Sequence, residues 1–101
     1  MVVFLESALT DIDGKDISTA DGKPATVRGV VVEALLASYQ DEQNLSGDEK
    51  MRRWELAVKV KKSIDPAEFS IEEVLLMKQL VGKAYAPLVV GQTWRVLEGG
   101  K

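Results

Sequence analysis

The chain opens on a short apolar run, Val2 to Leu9, interrupted by Glu6 and Ser7, and then meets Asp11-Ile12-Asp13-Gly14 ahead of Lys15-Asp16-Ile17. Tight turns select aspartate, which bonds its own backbone, and glycine, which accepts positive φ, so residues 1–17 predict a β-hairpin. Two strands alone are marginal in water. The hairpin must therefore lie on helices or extend a sheet in another chain. Ser18 to Ala25, polar and holding Gly22 and Pro24, predicts a loop.

Apolar positions next fall at Val27, Val30, Val31, Ala34 and Leu35, the spacing of one helix face, with Thr26 as N-cap. Gly29 and the β-branched run Val30-Val31-Val32 pull toward strand, but the length of the segment and Ala34-Leu35-Leu36-Ala37 decide for a helix over 27–39. Ser46 with Glu49 has capping-box spacing and opens a second helix that runs to Lys62, where Ile64-Asp65-Pro66 breaks it. Ser70 with Glu73 opens a third, to Ala84. Pro87 and Gly99-Gly100 frame a fourth, over 86–98. No internal repeat or low-complexity stretch stands out. The pattern reads as α+β, an N-terminal β-hairpin packed on a bundle of about four helices, in a single domain over 1–101 with its helical part at 26–98.

The second helix is apolar on two sides. Met51, Trp54 and Val58 share one side and Leu56 and Val60 fall nearly opposite. One side belongs to the core; the other is covered by the hairpin or a neighbouring helix, or is left for a partner. Leu56 and Val60 are read as that second side. In the fourth helix Val89, Val90, Trp94, Val96 and Leu97 form one stripe, with Leu88 and Arg95 outside it. The stripe suits the last core helix; the functional alternative is a helix-in-groove or oligomer contact anchored by Trp94, since large aromatic rings carry interfaces. The candidate partner surface is thus Leu56, Val60, Leu88, Trp94 and Arg95.

Composition narrows the chemistry. With no cysteine and no histidine, only carboxylates and carbonyls could ligate a metal, so thiol, imidazole and zinc chemistry are excluded and no cofactor is expected. The N-terminal run meets Glu6 after Val2-Val3-Phe4-Leu5 and has no basic flank, which predicts neither a signal peptide nor a membrane span and favours the cytoplasm. Thirteen basic against sixteen acidic residues, net −3, argue against a general coat of nucleic acid. Asp11, Asp13 and Asp16 are spaced like part of a calcium loop, but Gly14 comes too early and Gly22 stands where a bidentate glutamate is required. Turn chemistry is the better account. Glu72 and Glu73, adjacent on a helix, point about 100° apart and form no facing acid–base pair; they suit the positive end of a helix. Lys50, Arg52, Arg53, Lys59, Lys61 and Lys62 outnumber Asp48, Glu49 and Glu55 in the second helix. Arg52, Arg53 and Lys59 are the candidate basic face. Without a phosphate loop or a groove-reading motif, a solvated face is better supported than a nucleic-acid site.

The string Leu45-Ser46-Gly47-Asp48-Glu49-Lys50-Met51-Arg52-Arg53-Trp54-Glu55-Leu56-Ala57, with Gly82-Lys83-Ala84-Tyr85-Ala86-Pro87-Leu88-Val89-Val90-Gly91-Gln92, is similar to small proteins of tailed-phage and prophage genomes. These also open on an Ala8-Leu9-Thr10-Asp11-Ile12-Asp13-Gly14-Lys15 type of hairpin. The resemblance covers nearly the whole chain and implies a phage origin; its motifs are structural, so it brings no site residues. The leading expectation is a phage-derived accessory protein acting by protein–protein contact, in assembly or in modulation of a phage or host partner. A nucleic-acid-associated regulator using the basic helix 50–62 comes second, and a carboxylate-dependent enzyme third. Self-association through the hairpin or the surplus apolar faces is a further expectation.

Overall fold

The helices begin where side chains can take up the orphan N–H groups of a first turn. The computed structural model describes residues 1–100. In α1 (Val27–Leu36) the Thr26 hydroxyl accepts from Gly29 N, and in α2 (Gly47–Lys62) Ser46 accepts from Glu49 N. Ser70 and Glu73 close a reciprocal capping box at the start of α3 (Ile71–Ala84), and Pro87 opens α4 (Pro87–Leu97). Only half of the predicted box forms at Ser46, because the Glu49 carboxylate turns toward Arg52 and Arg53 instead. α4 ends as expected at its glycines: Gly99, at φ +100°, donates to Val96 O (3.0 Å) and Gly100 to Arg95 O (2.9 Å), the paired bonds of a Schellman stop. α1 stops at Leu36, short of the predicted Tyr39. The Tyr39 hydroxyl folds back to donate to Ala34 O (2.6 Å) and lies 3.2 Å from Leu80 O, drawing the chain off the helix axis.

Around the helices the architecture is α+β, with a two-stranded antiparallel sheet. Its strands are β1 (Val2–Val3) and β2 (Ala67–Glu68), in the register Val2↔Glu68 and Val3↔Ala67. The apolar run 2–9 is therefore not one hairpin strand. Its first residues pair with the α2–α3 connection, and Leu5 N donates to the Asp65 carboxylate. The hairpin forms about its predicted turn but is narrower, with Thr10 bridging Asp16.

The segment predicted as a loop, 18–25, repeats that hairpin. Asp11 N donates to Lys15 O and Gly14 N to Asp11 O; eight residues on, Thr19 N donates to Lys23 O and Gly22 N to Thr19 O. Both glycines have positive φ, +87° and +82°, the position at which a side chain would be strained. Three residues at the same interval then close a ring: Ile17 N donates to Leu9 O (3.0 Å), Ala25 N to Ile17 O (2.8 Å) and Leu9 N to Ala25 O (2.9 Å). The sequence carries this as Leu9-Thr10-Asp11-Ile12-Asp13-Gly14-Lys15-Asp16 over Ile17-Ser18-Thr19-Ala20-Asp21-Gly22-Lys23-Pro24, so an internal repeat is present after all. The aspartates serve the turns. Asp11 Oδ1 accepts from Asp13 N (2.9 Å) and Lys15 N (3.0 Å).

α1 is the centre of the molecule and packs on α2, α3 and α4. It buries Val27, Val30, Val31, Ala34 and Leu35 against Leu56, Ala57 and Val60 of α2, and Val74, Met77, Leu80 and Val81 of α3, with Phe69, Leu5 and Leu9 filling in. The edge of the hairpin is closed by a side chain. Gln92 on α4 accepts from Thr10 N (2.9 Å) and donates to Thr10 O (2.7 Å), doing with one amide what a neighbouring strand would do. Replacing Gln92 by alanine is expected to cost about 2 kcal/mol, because two partly buried backbone groups lose their partner together. Urea unfolding checks this; a loss below about 0.5 kcal/mol would show that water substitutes freely.

Candidate functional site

Each predicted site residue has a definite place. Leu56 and Val60 are core residues, 6 % and 0 % exposed, and offer nothing to a partner. The apolar side of α2 that faces out is the other one, with Met51 and Trp54 53 % and 55 % exposed. Trp94 is mostly engaged within the chain. Its indole N–H donates to Lys78 O (3.0 Å), Lys78 Nζ sits 4.7 Å over the ring, and Gly82 leaves room for its edge, since a Cβ there would lie 3.3 Å from Cζ2. Leu88 and Arg95 are exposed on α4.

The candidate basic face also divides. Arg53 is buried, not solvated, and forks onto Glu42 at 2.7 and 2.8 Å, with Glu49 3.6 Å from its Nε. Lys59 is held by Glu73 (3.0 Å) and lies over the Phe69 ring, while Arg52 is exposed and 3.6 Å from Glu49. The three do not form one free positive surface.

What α2 leaves open is a groove against α1. Trp54 and Leu36, both exposed, stand between two hollows of about 540 and 270 Å³. The smaller has an apolar floor of Val32, Ala57 and Val58 and is edged by Lys61 and Lys62. The larger runs below the end of α1 to Tyr39, Leu45 and Lys50. A charged cluster fixes its wall. Glu42, in the 3-10 turn Gln40–Glu42, binds Arg53 and Lys83 (3.0 Å), and Lys83 also meets Asp41 (3.1 Å). The Arg53 guanidinium, chiefly, holds the Glu42 carboxyl at about 2, and Glu42 followed by Asp41 raises Lys83 above its ordinary value. Burial raises the Tyr39 phenol. These groups are locked in their charged or neutral forms at ordinary pH and serve as scaffold.

Among the described residues no group of three or more acidic side chains is gathered to hold a metal, and no helix is long and apolar enough to cross a membrane. No protein-family model, curated protein or solved structure matches the chain.

A signal for the buried side of α2 was present in the sequence. Arg53, Leu56, Ala57 and Val60 sit at i, i+3, i+4 and i+7, one helix face, and Arg53 completes it. A charged residue at its head concealed it.

Proposed function

We propose that this is an accessory protein of phage origin that works in the cytoplasm by protein–protein contact, and that the groove around Trp54 is its contact face. One observation carries the reading: a tryptophan and a leucine more than half exposed side by side on an apolar groove between two helices, where burial against a partner would remove about 25 cal/mol of unfavourable hydration per Å². Trp54 has the size and rigidity of an interface anchor. The resemblance to phage proteins supplies the origin. The enzyme reading is weaker because partly shielded carboxylates are already committed, Glu42 to Arg53, Glu49 to Arg52 and Arg53, Asp65 to the Leu5 N–H, and Glu73 to Lys59 and the Ser70 N–H. The nucleic-acid reading loses two of its three residues, Arg53 and Lys59, to internal pairs. Self-association loses its main motive, because the hairpin bonds close within the chain.

The test is affinity capture from the source cells with wild-type protein and with the double variant Trp54→Ser, Leu36→Ser. The variant should melt within a few degrees of wild type and recover its specific partner about thirtyfold less well, as loss of a hot spot of about 2 kcal/mol implies. Equal recovery by both proteins would move the contact elsewhere.

A further inference from the structure

Charge on α2 is sorted between its two flanks. On the flank turned from α1, Asp48 and Glu55 share a cleft with Arg52 and Lys59, and Lys59 is itself paired with Glu73 at 3.0 Å. On the groove flank stand Lys50, beside the larger hollow, and Lys61 and Lys62, beside the smaller. These three are exposed and, among the described residues, have no ion-pair partner. An acidic chain of net charge −3 thus presents a groove with an apolar floor in its smaller hollow, a mixed lining in its larger one, and unpaired positive charge at both ends.

We propose that the occupant of this groove is an amphipathic helix of a partner protein, with an apolar stripe on one face and acidic residues flanking it. The inference rests on the groove being the contact face. From Lys50 to Lys62 the α2 axis rises about 18 Å, roughly three turns of an incoming helix. That length takes apolar anchors at i, i+3 or i+4, and i+7, two of them entering the hollows on either side of Trp54. Carboxylates at the ends of such a helix meet Lys50 on one side and Lys61 and Lys62 on the other, which steers encounter and sets polarity. Nucleic acid fits the same lysines less well. Their charges are separated by an apolar floor where a phosphate backbone would ask for a continuous row of donors.

The probes are two synthetic 18-residue helical peptides with the same leucine stripe, one flanked by glutamates and one by lysines. Each is titrated into the full chain near 0.15 M salt, with the protein amides and the Trp54 indole followed by NMR. The acidic peptide is expected to bind with a dissociation constant on the order of 10⁻⁵ M and to shift Leu36, Trp54 and Val58. The basic peptide should bind at least tenfold more weakly. The double variant Lys61→Glu, Lys62→Glu should invert that preference and lower melting by only a few degrees, since both residues are exposed but place negative charge at the C-terminal end of α2. Equal binding of both peptides at the groove would overturn the acidic partner and leave the contact face standing. Absence of binding, or binding elsewhere, would overturn the helix as occupant, with the contact face still decided by the Trp54 and Leu36 capture. The same shifts produced by the protein's own concentration, or by a DNA duplex, would hand the groove to a second copy or to nucleic acid.

Discussion

Replacing Arg28 by alanine is expected to destabilise the protein by about 3 kcal/mol and to lower its melting temperature by about 15 °C. The last carbonyls of a helix have no partner within it, and two of those of α2, together with the carbonyl of its C-cap Ser63, reach one side chain. Arg28 Nη1 donates to Val60 O (2.6 Å) and Ser63 O (2.8 Å), with Lys61 O at 3.3 Å, while its Nε meets Glu6 (2.6 Å). The side chain is only 15 % exposed, so solvent replaces these bonds poorly. A cation at a helix C-terminus also opposes the negative end of the macrodipole. Arg28→Lys should recover less than half of the loss, because an ammonium cannot span the carbonyls and Glu6 with a planar fork. Thermal and urea unfolding decide it; an alanine variant melting within 3 °C of wild type would mean that the cap contributes nothing.

Arg53→Ala should cost a similar amount, about 3 kcal/mol, whereas Arg52→Ala one position earlier should cost less than about 0.5. The difference lies in burial. Arg53 is 7 % exposed and Glu42 keeps only Lys83 and a shielded position once the guanidinium is gone. The pair also predicts a pH dependence. Glu42 titrates at about 2 when folded against an ordinary 4.5, so the unfolded chain binds more protons between those values. The stabilisation is fully present above 4.5 and is lost as pH falls toward 2. Urea unfolding at pH 6 and pH 3 should show a smaller drop for Arg53→Ala than for wild type. Equal drops would assign the acid sensitivity to other carboxylates.

Helix starts were legible because they depend on neighbours in sequence: Thr26, Ser46, Ser70 and Pro87 stand where local bonding rules require them. The choice between the two sides of α2 was not local. Both stripes are apolar, and α1 packs on the one that contains small Ala57 and admits Arg53 through its fork to Glu42. Charge makes Arg53 read as surface, and Leu56 and Val60 read as a second side, covered by the hairpin or a neighbouring helix or left for a partner, whereas in the structure they join the core and Trp54 faces out. The β1–β2 pairing and the Gln92 clamp join residues more than sixty positions apart, and no spacing rule reaches that far. The eight-residue repeat was readable in principle. Asp13-Gly14-Lys15 returns as Asp21-Gly22-Lys23, but Ile12 and Ala20 differ and Pro24 replaces Asp16, which masked it as a loop.

The ties that pin the first thirty residues all reach forward along the chain. Leu5 waits for Asp65, sixty positions later, Arg28 for Val60, thirty-two later, and Thr10 for Gln92, eighty-two later. During synthesis at about 5–20 residues per second, Thr10 is made roughly 4–16 s before its clamp exists. The two turns can form early, since their bonds are local, and α1 can rest on α2 once that helix is made, but the edge at Thr10 stays unclamped until α4 leaves the ribosome. One of the first turns made is thus among the last parts of the chain to be secured.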